Sequence, residues 1–171
     1  MFALVKLIQS LVGALHSEGT PGQLAAGFAL GSILGLTPLM NVHNAIVFAA
    51  IMLLNVSFAG GMLGWALFVP IGFLLDPLFD WIGHRLLLAP SLEGMWTSLY
   101  NTPIVPLTNF NNTVVLGSLV FALLLLVPLF FATRWAVTRY RATIGERVRQ
   151  SKFYQAVMAS KLYNVYKMFQ P

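Results

Sequence analysis

Two groups of residues in this chain could do chemistry. Asp76, Asp80 and His84 recur at steps of four, so on a helix they share one face, with Arg85 beside them. Carboxylates and an imidazole arranged in this way could hold a divalent metal, and the guanidinium could add a phosphate. The same residues also have a complete structural explanation. Asp76 before Pro77 reads as a helix N-cap, Asp80 lies near the positive end of the helix dipole, and His84 one turn on is an ion-pair partner. No catalytic residue, metal ligand or cofactor is therefore assigned, and the chain is read as a non-enzyme. The second group is Thr37, Asn41, His43 and Asn44, which crowd polar side chains into a turn between apolar segments. Polar groups at membrane depth are expensive. They either cap the turn's own backbone or line a polar pocket for a lipid headgroup, an ion or a proton.

The elements around these groups are apolar enough to settle the class. The chain has 171 residues, 58% hydrophobic and 9% charged, with a mean hydropathy of +0.79, whereas a soluble domain carries about 25% charged residues. No charged side chain occurs from Gly19 to Leu75 or from Gly94 to Thr133. These stretches point to an integral membrane protein and away from a soluble enzyme or a disordered chain. Eight of the ten Lys and Arg follow Phe131, so the basic balance reports topology, and no nucleic-acid partner is expected. There is no cysteine, hence no disulfide framework and no thiolate chemistry.

Local signals divide the chain into five parts. Residues 1–19 read as an uncleaved amphipathic helix at the membrane interface, with Leu4, Ile8, Leu11, Val12 and Leu15 on one face. Residues 20–89 form a glycine-rich membrane region. Thr20-Pro21-Gly22-Gln23 is a capping box with proline at the first helical position, which predicts a helix from Pro21 to about Leu36. A second apolar segment runs from about Asn44 to Leu54. Neither segment is long enough to cross a hydrocarbon core of about 30 Å, so the pair reads as a re-entrant hairpin closed by Asn41-Val42-His43-Asn44. Phe58 to Leu75, capped by Ser57, reads as a first span, and Asp76-Pro77 as the start of a separate helix to about Leu88. Residues 90–112 are an extracytoplasmic loop with one short helix near Leu92 to Tyr100. Residues 113–133 are a transmembrane helix capped by Asn112, and 134–171 a basic amphipathic cytoplasmic tail. The fold class is thus all-α and membrane-integral: a re-entrant hairpin plus about two spans, with amphipathic ends. Charge asymmetry places the tail inside and the acidic 76–112 region outside.

Gly27, Gly31 and Gly35 form a ridge on the first arm, and Gly60 with Gly64 a second small-residue face. Missing side chains let helix backbones approach closely, so these are read as helix-packing positions, with Gly117 on the last span isolated from any such ridge.

The run from Thr20 through Pro38, followed by His43, Leu54-Asn55 and Gly64-Trp65, resembles the bacterial membrane family of domain of unknown function 2062. The resemblance covers about Thr20 to Leu88, and this chain has Val69-Pro70 where many members have Asn-Pro. No established chemistry comes with the resemblance. It implies a multi-pass protein of the bacterial inner membrane that accompanies large periplasmic lipid-transfer proteins. The resulting expectation is a non-enzymatic component that binds or feeds membrane phospholipid to a larger envelope lipid-transport assembly. Its partners would be phospholipid and a periplasmic lipid-transfer protein. The alternative is a small oligomeric transporter or channel subunit built around the glycine faces.

Overall fold

The computed structural model describes residues 19–143, and every regular element among them is helical. Five α-helices follow in order: α1 Pro21–Leu36, α2 Val42–Leu53, α3 Phe58–Leu87, α4 Glu93–Tyr100 and α5 Thr113–Thr143. Short 3-10 turns at Pro90–Leu92 and Val105–Thr108 flank α4. The expected amphipathic helix in 1–19 and most of the basic tail in 134–171 lie outside the described residues.

Each long element starts where a local cap permits. The Thr20 hydroxyl accepts from the Gln23 N–H at 3.1 Å and Gln23 Oε1 accepts from the Thr20 N–H at 2.8 Å, so both halves of the capping box form. Ser57 Oγ accepts from the Gly60 N–H and Asn112 Oδ1 from the Val115 N–H, each at 3.1 Å. The Gln23 side chain also ties the two ends of the hairpin together. Its Nε2 donates to Asn55 Oδ1 at 2.7 Å, and the Gln23 main-chain carbonyl accepts from the Ser57 N–H at 3.0 Å.

One expectation about helix starts needs correction. Asp76-Pro77 does not open a new helix, because α3 runs unbroken from Phe58 to Leu87 with Pro70 and Pro77 inside it. Asp76 is therefore an interior helical residue and not an N-cap. Packing on both sides holds α3 together there: Gly72 and Gly83 press against neighbouring backbones and Phe79 is fully buried. The expected last span and the start of the basic helix expected after it form one continuous helix, α5, from Thr113 to Thr143. At about 1.5 Å per residue α3 and α5 are each about 45 Å long, enough to cross a bilayer with turns to spare. Both are long and apolar enough to span, and only 28% of each apolar window is buried, so most of that surface faces outward.

Glycine contacts give the helix directions. A Cβ on Gly27 would fall on the Ser57 carbonyl, one on Gly31 on the Gly61 carbonyl, and one on Gly35 within 2.7 Å of the Trp65 carbonyl. Higher residues of α1 meet higher residues of α3, so the two run parallel and α2 returns between them. Gly60, Gly64 and Gly72 answer from α3, their Cβ positions falling on the carbonyls of Leu24, Phe28 and Gly35. At the other crossing, Gly83 of α3 abuts Thr113 and Gly117 of α5 abuts the Phe79 carbonyl, so α5 is antiparallel. Gly117 is thus not isolated, as the sequence reading has it; its partners lie on another helix. Two apolar clusters seal the bundle. Leu24, Leu63 and Val137 close one end, and Ile33, Leu36, Phe79 and Ala122 close the level of the hairpin tip.

Candidate functional site

The hairpin stops short. α1 ends opposite Gly72, and α3 runs on to Leu87, about 22 Å further. The polar residues sit at this tip, although the turn differs from the expected one. It is formed by residues 38–41, and Val42, His43 and Asn44 already belong to the first turn of α2. That shift has a local reason: Asn41 is extended, with φ −137° and ψ 151°, and its carbonyl accepts from the N–H groups of Asn44 and Ala45, which starts the helix.

Thr37 and Asn44 are each 4% exposed and satisfy one another. Asn44 Nδ2 donates to the Pro38 carbonyl at 2.7 Å, which fixes the orientation of the amide. Its Oδ1 then accepts from the Thr37 hydroxyl at 2.7 Å, with the Ile33 carbonyl at 2.8 Å as an alternative acceptor for the same proton. Asn41 Nδ2 donates to the Pro38 carbonyl at 2.7 Å, and Asn41 Oδ1 accepts from Asn109 Nδ2 at 2.8 Å. The last bond fastens the loop after α4 to the hairpin tip. His43 stands apart, on the inner side of α2 with Asn44, Val47 and Ile51. Its Nε2 is buried and has no partner among the described residues, and Trp65 Nε1 on α3 shares that condition.

Above the tip lies an open cleft of about 480 Å3, with Pro38, Met40 and Asn41 on one wall and Asn109, Asn111 and Asn112 on the other. Side-chain amides dominate its polar lining, and no ionisable group among the described residues borders it. Met40 is 94% exposed, and the outer face of α2 beyond it shows Ile46, Phe48, Met52 and Leu53. The site thus joins an uncharged hydrogen-bonding cleft to an apolar surface. Sequence reasoning found the hairpin side of this cleft and missed the loop side. Asn112 was read only as a helix cap, and Asn109 and Asn111 carried no signal beyond lying in a segment read as a loop.

The acidic face does not assemble into a centre. Asp80 accepts from the Thr113 hydroxyl, which ties α3 to the start of α5 in place of the expected pairing with His84. The Arg85 guanidinium stacks 5.6 Å over the Trp81 ring. Among the described residues no three His, Cys, Asp or Glu side chains come together as a metal site. The five glycines assigned to packing, Gly27, Gly31, Gly35, Gly60 and Gly64, all face backbone of the same chain.

No solved structure matches the chain. An uncharacterized protein of Treponema pallidum (strain Nichols) is 28% identical over 159 residues, covering 93% of this chain and 98% of that one. The model of a bacterial family described as "Uncharacterized protein conserved in bacteria (DUF2062)" matches residues 7–144, most of the sequence, and the chain therefore belongs to that family.

Proposed function

We propose that this chain is a non-enzymatic component of the bacterial inner membrane that binds phospholipid at its hairpin tip. It feeds that lipid to a larger envelope lipid-transport assembly through a periplasmic lipid-transfer partner. In this reading α3 and α5 cross the bilayer and α1 with α2 re-enters from the cytoplasmic side. Arg134, Arg139 and Arg141 lie near the end of α5, where the Arg141 guanidinium donates to the Gly19 carbonyl at 2.7 Å. The basic residues thus gather at the open end of the hairpin. The positive-inside tendency puts that end in the cytoplasm.

One observation carries the reading: an amide-lined cleft opens at the hairpin tip beside the exposed apolar side chains of Leu39 and Met40. A phospholipid needs such a junction, with polar groups for its head and an apolar surface continuous with its chains. His43 does not border this cleft; its buried Nε2, unpartnered among the described residues, lies apart from it on the inner side of α2. The oligomeric transporter or channel loses its proposed seam, since the glycine faces are already occupied within the chain.

Native mass spectrometry of the purified protein tests the reading. Phospholipid retained on a monomer or a hetero-complex is the expected result. A closed homo-oligomer with no lipid would overturn it in favour of the transporter.

A further inference from the structure

Next to the tip cleft is a second one of about 290 Å3, built from Trp96, Tyr100 and Asn101 on one side and Phe110 and Asn111 on the other. We propose that this ledge binds the ring of a neutral carbohydrate. The assignment goes beyond the phospholipid reading, and the ledge shares only Asn111 with the tip cleft.

The ledge offers aromatic faces held in place. The rings of Trp96 and Phe110 stack with centroids 5.8 Å apart and planes 23° from parallel. The Trp96 indole N–H donates to the Leu86 carbonyl at 2.9 Å, so the ring is anchored from behind and keeps its orientation. Tyr100, 57% exposed, adds a phenol at the rim. A pyranose ring turns a patch of C–H groups to one side. That patch packs on an aromatic face because both surfaces leave water and the weakly positive C–H groups meet the negative π cloud.

Beside the rings stand amides with unused capacity. The side chains of Asn101 and Asn111 make no hydrogen bond among the described residues. Each amide supplies two N–H donors and one carbonyl acceptor in a plane, and each sugar hydroxyl both donates and accepts, so the two sets can pair in full. Among the described residues no Asp, Glu, His, Lys or Arg lines the ledge. A phosphate or carboxylate would find no countercharge there, and a purely apolar ligand would leave the amides unpaired. A ligand with an apolar face, several hydroxyls and no charge matches the whole lining. The same ring chemistry could arrive as a glycolipid headgroup or as a soluble saccharide.

The test uses the full chain, purified in a sugar-free detergent and reconstituted into phosphatidylcholine nanodiscs. Saturation-transfer NMR is recorded with methyl glucoside, methyl galactoside and methyl N-acetylglucosaminide. In a second arm, retention of glucosyl-diacylglycerol is compared with that of diacylglycerol. Transfer to ring C–H protons of at least one glycoside supports a soluble source, and preferential retention of the glucosyl lipid supports a membrane source. In either arm Tyr100→Ala should weaken binding by about tenfold or more, Asn101→Leu should weaken it, and Tyr100→Phe should preserve it. Binding in neither arm, or binding untouched by Tyr100→Ala, overturns the proposal and leaves these aromatics as interfacial anchors. Phospholipid retention is measured separately, so failure here does not decide the phospholipid reading.

Discussion

Removing the Asn44 side chain should destabilise the hairpin tip less than removing the Thr37 hydroxyl, even though Asn44 makes the larger number of hydrogen bonds. In Asn44→Ala the Thr37 hydroxyl can turn to the Ile33 carbonyl at 2.8 Å, and the Pro38 carbonyl keeps the Asn41 amide at 2.7 Å. No buried group is orphaned, and the small void borders Pro38, which lines the open cleft, so water can enter it. The loss is then that of two net hydrogen bonds, about 1 to 3 kcal/mol. In Thr37→Val the donor disappears while Asn44 Oδ1 stays buried with nothing else to accept from, which adds a desolvation penalty and raises the cost to about 2 to 4 kcal/mol. Asn44→Asp should be worst of the three, because it sets a carboxyl oxygen against the Pro38 carbonyl where an N–H now donates at 2.7 Å. Reversible unfolding in mixed micelles, followed by circular dichroism, gives the three stabilities. An Asn44→Ala variant at least as damaged as Thr37→Val would refute the reasoning, since it would mean that Thr37 cannot change acceptors.

Gly31→Leu and Gly117→Leu should lower the melting temperature in detergent by comparable amounts, because a Cβ at either position lands on a backbone carbonyl of another helix. Gly94→Ala is the control, with open space around it; a gain of about 0.5 to 1 kcal/mol in α4 is expected. Gln23→Ala removes both its half of the capping box and the bond to Asn55. It should cost about 1 kcal/mol, with part of that loss absent in an Asn55→Ala background when a double-mutant cycle is measured. Single cysteines at Ser91 and Ser151, in a chain that has no cysteine of its own, should label from the periplasmic and cytoplasmic sides respectively. Labelling of both from one side would break the two-span topology.

What was legible in the sequence was local. Thr20, Ser57 and Asn112 announce helix starts because a cap bonds to an N–H only two or three residues away. The same local logic failed at Asp76-Pro77, where a cap-like pair lies inside α3. Loss of one backbone bond at Pro77 is tolerated there because Gly72, Phe79 and Gly83 pack on both sides of it, an effect written in α1 and α5 and not in the flanking residues. Gly117 was passed over for a related reason. It has no glycine at helical spacing in α5, and its contacts, Phe79 and Gly83, lie more than thirty residues upstream. Of the tip residues, Thr37 and Asn44 were recognisable as polar groups needing partners, but their mutual satisfaction depends on the Thr37 hydroxyl reaching across the turn. The loop side of the cleft was hidden, because Asn109 meets Asn41 across sixty-eight residues.

The most direct test of phospholipid binding at the tip is the amount of phospholipid that stays with the protein through purification, compared by native mass spectrometry between the wild type and Asn111→Leu. Because Asn111 lines the cleft, is exposed and makes no side-chain hydrogen bond among the described residues, its replacement should leave abundance and melting temperature unchanged while most of the bound phospholipid is lost. Equal phospholipid on the two proteins, at equal abundance, would contradict the account.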